Sequence, residues 1–160
     1  MFHVQNTGWR MSIRERVRQR RFPSAAAEAV VSLLAAADHL GQTIGAVCER
    51  HAITGDQYNV LRILRGAHPA GHPRREVERR MIRRAPDVTR MLDRLERRGL
   101  VARGRDGDDR RLSVARITRV GLALLTRMDP EVAAAQRAAT ARLTGAQLRQ
   151  LVRLCDALAP

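Results

Sequence analysis

Apolar residues recur at spacings of three and four along most of the chain, which is the period of an amphipathic helix. The pattern predicts a long helix from Ser24 to about His51. A second helix is expected from Thr54, which has the spacing of a capping box with Gln57, to about Ala67. A short, highly charged helix is expected from Arg74 to Met81. The first half of the chain is therefore predicted to be helical.

The C-terminal third continues this pattern behind clear helix-start signals. Thr118 is an expected N-cap for a helix that extends towards Arg142, and Asp129-Pro130 is expected to bend or restart it. A capping box, Thr144 with Gln147, predicts the start of a last helix with leucines and a valine on one side.

The stretch from Ala85 to Ile117 predicts a helix followed by a hairpin. Pro86 suits the first helical position, and Gly99 suits the position just past the end. One face of this helix is apolar and consists of Val88, Met91, Leu92 and Leu95. The opposite face is charged and consists of Arg90, Asp93, Arg94 and Arg97. One face is expected to pack and the other to read a partner.

Two short runs with apolar and β-branched residues follow this helix, Leu100–Arg103 and Leu112–Ile117. The loop between them consists of turn formers and charged residues, and its arginines are Arg105, Arg110 and Arg111. Two helices joined by a short connection, the second one basic and followed by a basic hairpin, are typical of a winged helix-turn-helix.

Charge favours nucleic acid as the partner. The net charge is +14, and all thirty basic residues are arginine. Residues 74–119 hold sixteen arginines against eight acidic residues, and residues 1–22 hold six against one. Arginine forms bidentate contacts with phosphates and guanine edges, although genome composition and a merely solvated basic face also account for part of the excess.

The remaining composition argues against other classes. Cys48 and Cys155 are far apart and form no disulfide framework. Cys48, Glu49 and His51 are too few for a convincing metal site, and no cofactor is expected. The chain lacks a phosphate-binding glycine loop, a metalloprotease helix and a nucleophile elbow, so an enzyme is not expected. No apolar run approaches bilayer length and no signal peptide is seen, which predicts a soluble, cytoplasmic protein.

The ends of the chain are expected to bring two copies together. The predicted fold is mainly α with a small β-hairpin wing, in which a winged helix-turn-helix domain at residues 53–119 is flanked by dimerisation helices at 24–52 and 120–160. Residues 1–23 are expected to form a basic N-terminal arm. An extra DNA contact, a clasp on a partner subunit, a loose tail and a membrane-surface helix remain open for this arm.

Several blocks of the chain, in this order, resemble the multiple antibiotic resistance regulator (MarR) family of bacterial transcription factors. They are Ile53-Thr54 with Gln57-Tyr58 and Leu61, Val88-Thr89-Arg90, Leu92-Asp93-Arg94-Leu95-Glu96, Arg98-Gly99-Leu100-Val101, Asp108-Asp109-Arg110-Arg111, Ile117-Thr118 with Gly121, and Leu143-Thr144 with Leu148. The resemblance covers about Ser24 to Leu158. The Leu-Asp-Arg-Leu-Glu run combined with the Asp-Asp-Arg-Arg segment is its most specific part.

The resemblance implies a triangular homodimer that binds a pseudo-palindromic operator on double-stranded DNA. The helix at Pro86 to Arg98 would enter the major groove, with Thr89, Arg90, Asp93 and Arg94 facing the bases and phosphates. Arg111 would be the wing-tip arginine in the minor groove, oriented by Asp109. The patterning of the residues by itself does not select Arg111 over Arg105 or Arg110.

The chain departs from the family pattern just upstream, where Ile82, Arg83 and Arg84 replace a glycine, an apolar residue and a serine cap. The added arginines, Arg84 among them, are expected to strengthen backbone binding. By resemblance, a small aromatic or phenolic acid modulates operator binding, and candidate residues for its site are His39, His51, Tyr58 and Arg62.

The expected function is a homodimeric, sequence-specific DNA-binding regulator that acts as a repressor and responds to a small-molecule effector. Two alternatives stay open at this stage. One is a nonspecific or architectural nucleic-acid-binding protein, which the charge also fits. The other is a regulator of the same fold that senses oxidation through Cys48 or Cys155, which requires an exposed thiol with a lowered pKa.

Overall fold

A computed structural model of the chain describes residues 12–83, 87–105 and 113–158, and the structural statements below concern these residues. The elements in chain order are α1 (Ile13–Arg16), α2 (Ala25–Arg50), α3 (Gly55–Gly66), β1 (His72–Pro73), α4 (Arg74–Arg80), α5 (Val88–Arg97), β2 (Val101–Arg105), β3 (Ser113–Ile117), α6 (Arg119–Thr140) and α7 (Gly145–Leu158). The predicted fold class, mainly helical with a small antiparallel sheet, is confirmed.

The chain divides into two compact units, Met1–Gln42 and Thr43–Pro160. In the first unit, Ser12 and Glu15 form a capping box at the start of α1. Arg14 of α1 donates two hydrogen bonds to the carboxylate of Glu28 on α2, at 2.6 and 2.7 Å. The described part of the basic arm is thus attached to the first turns of α2. The domain boundaries expected from the sequence remain a prediction.

The described residues of the second unit share one hydrophobic core, to which α3, α4, α5, α6, β2, β3 and the end of α2 contribute. Its largest fully buried side chains include Leu61 and Leu64 of α3, Leu92 and Leu95 of α5, and Leu125 of α6. Burying each such leucine stabilises the fold by about 2 kcal/mol. Because α5 supplies two of these residues, its position is fixed by the core.

The sheet has three antiparallel strands in the order β1-β3-β2. Val101 of β2 lies opposite Ile117 of β3, and His72 of β1 lies opposite Ala115 of β3. Sequence analysis predicted no strand between the helix that ends near Ala67 and the one that begins at Arg74, and so missed β1. A strand of two residues has no periodicity of its own, and it is defined here by its pairing with a segment about forty residues later.

The helix-start signals predicted at Thr54, Thr118 and Thr144 are confirmed. The side chain of Thr54 accepts a hydrogen bond from the Gln57 amide at 3.2 Å, and that of Thr118 accepts from the Gly121 amide at 3.1 Å. The Thr144 capping box is also present. The expected restart at Asp129-Pro130 is wrong, because α6 continues through Pro130 as one helix.

One expectation about membranes needs correction. Helix Ala25–Arg50 is long and apolar enough to cross a membrane by length and composition, with a mean hydropathy of 1.3 over its most apolar 18 residues. The hydropathy of this helix comes in large part from alanines and not from a run of leucines. The sequence analysis therefore did not recognise it as an apolar stretch of bilayer length. Length and composition alone do not distinguish a membrane-spanning helix from a helix whose apolar side packs against other protein.

The helices at the two ends of the chain leave apolar side chains uncovered. In α2, Val30 is 56% exposed and Leu34 is 65% exposed. In α7 no residue is buried, and Val152, Leu154 and Leu158 are all more than half exposed. Surfaces of this kind commonly mark interaction sites.

Candidate nucleic-acid interface

Helix α5, the reading helix, begins at Val88 with Asp87 as its N-cap. The Asp87 carboxylate accepts a hydrogen bond from the Arg90 amide at 2.9 Å. The expectation that Pro86 is the first helical residue is therefore wrong, because Pro86 precedes the cap; Pro86 itself lies outside the described residues. The aspartate satisfies an otherwise unpaired amide of the first turn, and an Asp three residues before Arg90 was the sequence signal for it.

One face of the reading helix is apolar and buried and the opposite face is polar, as predicted. Val88, Leu92 and Leu95 are at most 3% exposed. Thr89, Arg90 and Arg94 lie on the surface, whereas Asp93 is half-buried. The apolar face anchors the helix in the core, so that the arginines project from a rigid support.

Arg90 and Arg94 line an open cleft of about 360 Å³ between the reading helix and the first turn of α3. Arg90 pairs with the N-cap, since its Nε lies 2.9 Å from an Asp87 carboxylate oxygen. Asp56 of α3 lines the same cleft. Arg90 would therefore have to break its ion pair with Asp87 in order to contact DNA. No ion pair of Arg94 is found among the described residues.

The reading helix ends in a Schellman motif. The Gly99 amide donates to the Glu96 carbonyl at 2.8 Å, and the Leu100 amide donates to the Leu95 carbonyl at 3.0 Å. Gly99 has a φ of 66°, as the sequence predicted for the position past the helix end. The reversal points the chain directly into β2, so the hairpin starts at a fixed place relative to the reading helix.

Strands β2 and β3 form the described part of the wing. The base of the wing is tied to the start of α6, because the Thr118 hydroxyl donates to the Gly99 carbonyl at 2.6 Å. The Thr118 amide donates to the Leu100 carbonyl at 3.1 Å. Among the predicted DNA-binding residues, Arg84, Asp109, Arg110 and Arg111 lie outside the described residues, and of Arg105 only the backbone, at the end of β2, is described.

Arg103 of β2 binds two carboxylates of the reading helix. Its Nε donates to Glu96 Oε2 at 2.7 Å, and its Nη2 lies 2.5 Å from Asp93 Oδ1. The hydrogen bond from Arg103 lowers the pKa of the Glu96 carboxyl below its usual range. Asp93, predicted to face the groove, thus has its carboxylate engaged within the protein.

Two further contacts fix the segments that precede and follow the reading helix. The Ile82 amide, in the turn before α5, donates to Asn59 Oδ1 of α3 at 3.0 Å. Beyond the other end of α5, Arg98 Nη1 donates to the Ala52 carbonyl at 2.5 Å. Sequence analysis did not predict these two contacts, because the partners lie 23 and 46 residues apart.

The end of α2 is joined to α6 through one carboxylate. Glu131 of α6 accepts from Arg50 at 2.7 Å, and its other oxygen lies 2.8 Å from Nε2 of His51. The hydrogen bonds from Arg50 and then from His51 lower the pKa of the Glu131 carboxyl. His51, a predicted effector residue, is thus engaged in this junction.

Replacing Glu131 by glutamine is expected to lower the melting temperature at neutral pH, because Arg50 and His51 lose a charged acceptor. A lowered native pKa means that the contribution is present above the unfolded carboxyl pKa and is lost as the pH falls through the native pKa. The difference in melting temperature between wild type and E131Q should therefore shrink on acidification. Thermal melts from pH 7 to pH 3 measure it, and a difference that stays constant with pH would contradict this role.

The other predicted effector residues are placed as follows. Tyr58 is buried in α3, and the guanidinium carbon of Arg62 lies 5.9 Å from the centre of its ring. Burial raises the pKa of the Tyr58 hydroxyl. His39 is half-buried on the part of α2 that belongs to the first unit. The structure thus brings Tyr58 and Arg62 together, and their role in ligand binding remains a prediction.

The cysteines provide little support for a redox switch. Cys48 is fully buried, and its burial raises the pKa of the thiol, which is the opposite of what a reactive thiolate requires. Cys155 is exposed on α7. Within the described ranges, no group of three His, Cys, Asp or Glu side chains is arranged to hold a metal ion.

A reading helix on a fixed core, preceded by a shorter helix and followed by a wing, defines a winged helix-turn-helix DNA-binding protein. The model of the MarR family matches residues 53–113. The crystal structure of a MarR transcription factor from Planctomyces limnophilus is 34% identical, covers 87% of this chain and 100% of that chain, and superimposes with a TM-score of 0.65. The chain belongs to the MarR family of DNA-binding transcriptional regulators.

Two other relatives illustrate this family. The homoprotocatechuate degradative operon repressor of Escherichia coli is 29% identical over 126 residues, which are 79% of this chain and 84% of the repressor. A cysteine-to-serine mutant of MarR from E. coli, crystallised in complex with operator DNA, has a TM-score of 0.72 at 24% identity and covers 80% of this chain and 91% of that one. This chain therefore shares its fold with a MarR protein that was crystallised in complex with operator DNA.

Proposed function

We propose that the chain is a homodimeric repressor that binds a pseudo-palindromic operator and is modulated by a small-molecule effector. The observation that carries the proposal is the reading helix, which presents Arg90 and Arg94 on the face opposite three fully packed apolar residues. Arginine at such positions contacts guanine edges or phosphates in the major groove. Because the protein acts on DNA in the cell, we place it in the cytoplasm.

The uncovered apolar faces of α2 and α7 support a second copy of the chain as the dimer partner. Val30 and Leu34 on α2, and Leu154 and Leu158 on α7, remain exposed in the single chain. Burying side chains of this size contributes about 2 kcal/mol each, less the cost of association. Two-fold symmetry would place two reading helices on half-sites about one helical turn apart. Sedimentation at micromolar concentration should therefore give the mass of two chains.

In the wing, we propose that Arg111 enters the minor groove and that Asp109 orients it, with Arg105 and Arg110 as further phosphate contacts. The support is the position of strands β2 and β3, which frame this loop beside the reading helix. A narrow minor groove has a strong negative potential that attracts arginine. Arg84, which precedes the reading helix, is assigned to the phosphate backbone for the same electrostatic reason.

We propose a small aromatic or phenolic acid as the class of effector. The support is the relative that is named as the repressor of an operon degrading homoprotocatechuate, an aromatic acid. Tyr58 with Arg62 offers an aromatic ring beside a cation, two groups that suit the ring and the carboxylate of such an acid, and His39 and His51 are the further candidates. Adding aromatic acids to the protein–DNA complex and measuring release of DNA tests this assignment.

The decisive experiment is selection of duplexes from a random-sequence pool with the wild-type protein. A repressor of this class should enrich a palindromic sequence and bind it at least 10³-fold more tightly than scrambled DNA at physiological salt. A ratio near one would show an architectural, nonspecific DNA-binding protein instead. Competition binding at two salt concentrations separates the two outcomes, since nonspecific binding depends most steeply on salt.

A further inference from the structure

The guanidinium of Arg103 joins the wing to the reading helix across the chain reversal at Gly99. Nη2 of Arg103 lies 2.6 Å from Glu96 Oε2 and 2.5 Å from Asp93 Oδ1. Nε donates to Glu96 Oε2 at 2.7 Å, and the Arg103 backbone amide donates to Glu96 Oε1 at 3.0 Å. One residue of β2 therefore makes four contacts with two carboxylates of α5.

This arrangement depends on the planar shape of arginine. Asp93 and Glu96 are three residues apart and lie on the same side of the helix, so a single fork reaches both. A lysine ammonium on its stem cannot reproduce the in-plane contacts of Nε and Nη2. The side chain of Arg103 is 31% exposed, so the contacts are partly shielded from water.

The base of the wing is held by the core, in which Val101 of β2 and Ile117 of β3 are buried together with the apolar face of the reading helix. Gly99, at the reversal, has a positive φ, and nothing lies within 4 Å of the position that a Cβ would take. The bonds of Thr118 hold the base of the wing at Gly99 and Leu100, and those of Arg103 hold it further along β2, opposite Ala115 of β3. Arg103 thus adds a polar attachment to the reading helix two residues beyond the buried Val101 of β2, which restrains the direction of the hairpin further from its base.

We propose that Arg103 is a positioning residue for DNA binding, which sets the direction of the wing by clamping β2 to Asp93 and Glu96 of the reading helix. The proposal rests on the operator-binding function proposed above. It assigns Asp93 to the clamp rather than to base recognition, because its carboxylate already has a cationic partner and would repel phosphates. Arg103 itself is not expected to contact DNA, because the carboxylates of Asp93 and Glu96 neutralise its charge.

The test compares Arg103→Lys and Asp93→Asn with wild type on the duplex selected by the wild-type protein. Arg116→Lys is the matched control, because Arg116 lies in the neighbouring strand and no ion pair of its side chain is found among the described residues. Both clamp variants should bind about tenfold more weakly and lose hydroxyl-radical protection at the outer flanks of the site. The base preference at central positions should stay unchanged, which a general loss of stability would not explain.

Hydrogen exchange supplies a readout without DNA. The Arg103 amide, which donates to Glu96, should exchange faster in Arg103→Lys and in Asp93→Asn than in wild type or the control. The clamp would be overturned if both variants had the same operator affinity, the same protection at the flanks and the same amide exchange rate as wild type. A changed base preference in Asp93→Asn with unchanged amide exchange would also overturn it, because Asp93 would then be a base reader.

Two controls keep this result separate from the proposed function. If wild type enriches no duplex, operator binding fails, while amide exchange in the two variants still decides whether the clamp exists. Circular dichroism checks folding of each variant. Asp93→Asn changes a half-buried surface carboxylate and no core side chain, so it provides the test if Arg103→Lys does not fold.

Discussion

Replacing Arg90 and Arg94 together by alanine is expected to lower operator affinity by roughly two to three orders of magnitude. Each arginine that contacts a base edge contributes about 1–3 kcal/mol to discrimination, and every 1.4 kcal/mol is a factor of ten. The fold should be retained, because both side chains are exposed and the helix is held by Val88, Leu92 and Leu95. Titration of a labelled operator duplex by fluorescence anisotropy measures the loss.

The salt dependence of the same variants separates the roles of the two arginines. Loss of a phosphate contact should reduce the slope of log K against log salt by about one, whereas loss of a base contact leaves the slope nearly unchanged. Arg90 pairs with Asp87 in the free chain, so its single substitution should cost less than that of Arg94.

The control is Arg127→Ala on the exposed surface of α6, which removes the same charge away from the reading helix. The assignment of the reading face would be contradicted if the double variant and the control bound operator with equal affinity. It would also be contradicted if the double variant lost affinity equally for operator and scrambled DNA with no change in their ratio, since the two arginines would then carry no sequence information.

The features predicted correctly from the sequence are those determined by neighbouring residues. Capping boxes connect side chains and amides three residues apart, so Thr54 and Thr144 mark helix starts without any tertiary information. The apolar face of the reading helix follows in the same way from the helical period, because Val88, Leu92 and Leu95 recur on one side. These local signals were sufficient to predict the winged helix-turn-helix.

The features that were missed depend on contacts between distant parts of the chain. The contact of His51 with Glu131, which lies 80 residues later, was not predicted, and the role of His51 in ligand binding stays a prediction. Arg103 was one arginine among many, and its distinction comes only from the reversal at Gly99 that brings it back onto the reading helix. Asp87 is different, because its N-cap signal was local and was outweighed by the adjacent Pro86.

At Gly121, α6 comes close to the base of the wing. A methyl group built on it would collide with the Leu100 carbonyl oxygen and would lie 2.7 Å from Cγ1 of Ile117. Neither neighbour can easily withdraw, because the Leu100 carbonyl accepts the Thr118 amide and Ile117 is buried in the core. Glycine at this position therefore lets the first turn of α6 pack against the wing, which explains the Thr-x-x-Gly pattern structurally.

Gly121→Ala is accordingly expected to destabilise the protein by about 3 kcal/mol and to lower its melting temperature by roughly 10 °C. Operator affinity should fall with it, because α6 must shift away from the base of the wing. Gly66→Ala is the matched control: nothing lies within 4 Å of its added methyl, and alanine is the better helix former, so it should raise stability by up to about 1 kcal/mol. Equal unfolding free energies for the two variants in urea would show that the close approach at Gly121 does not constrain the fold.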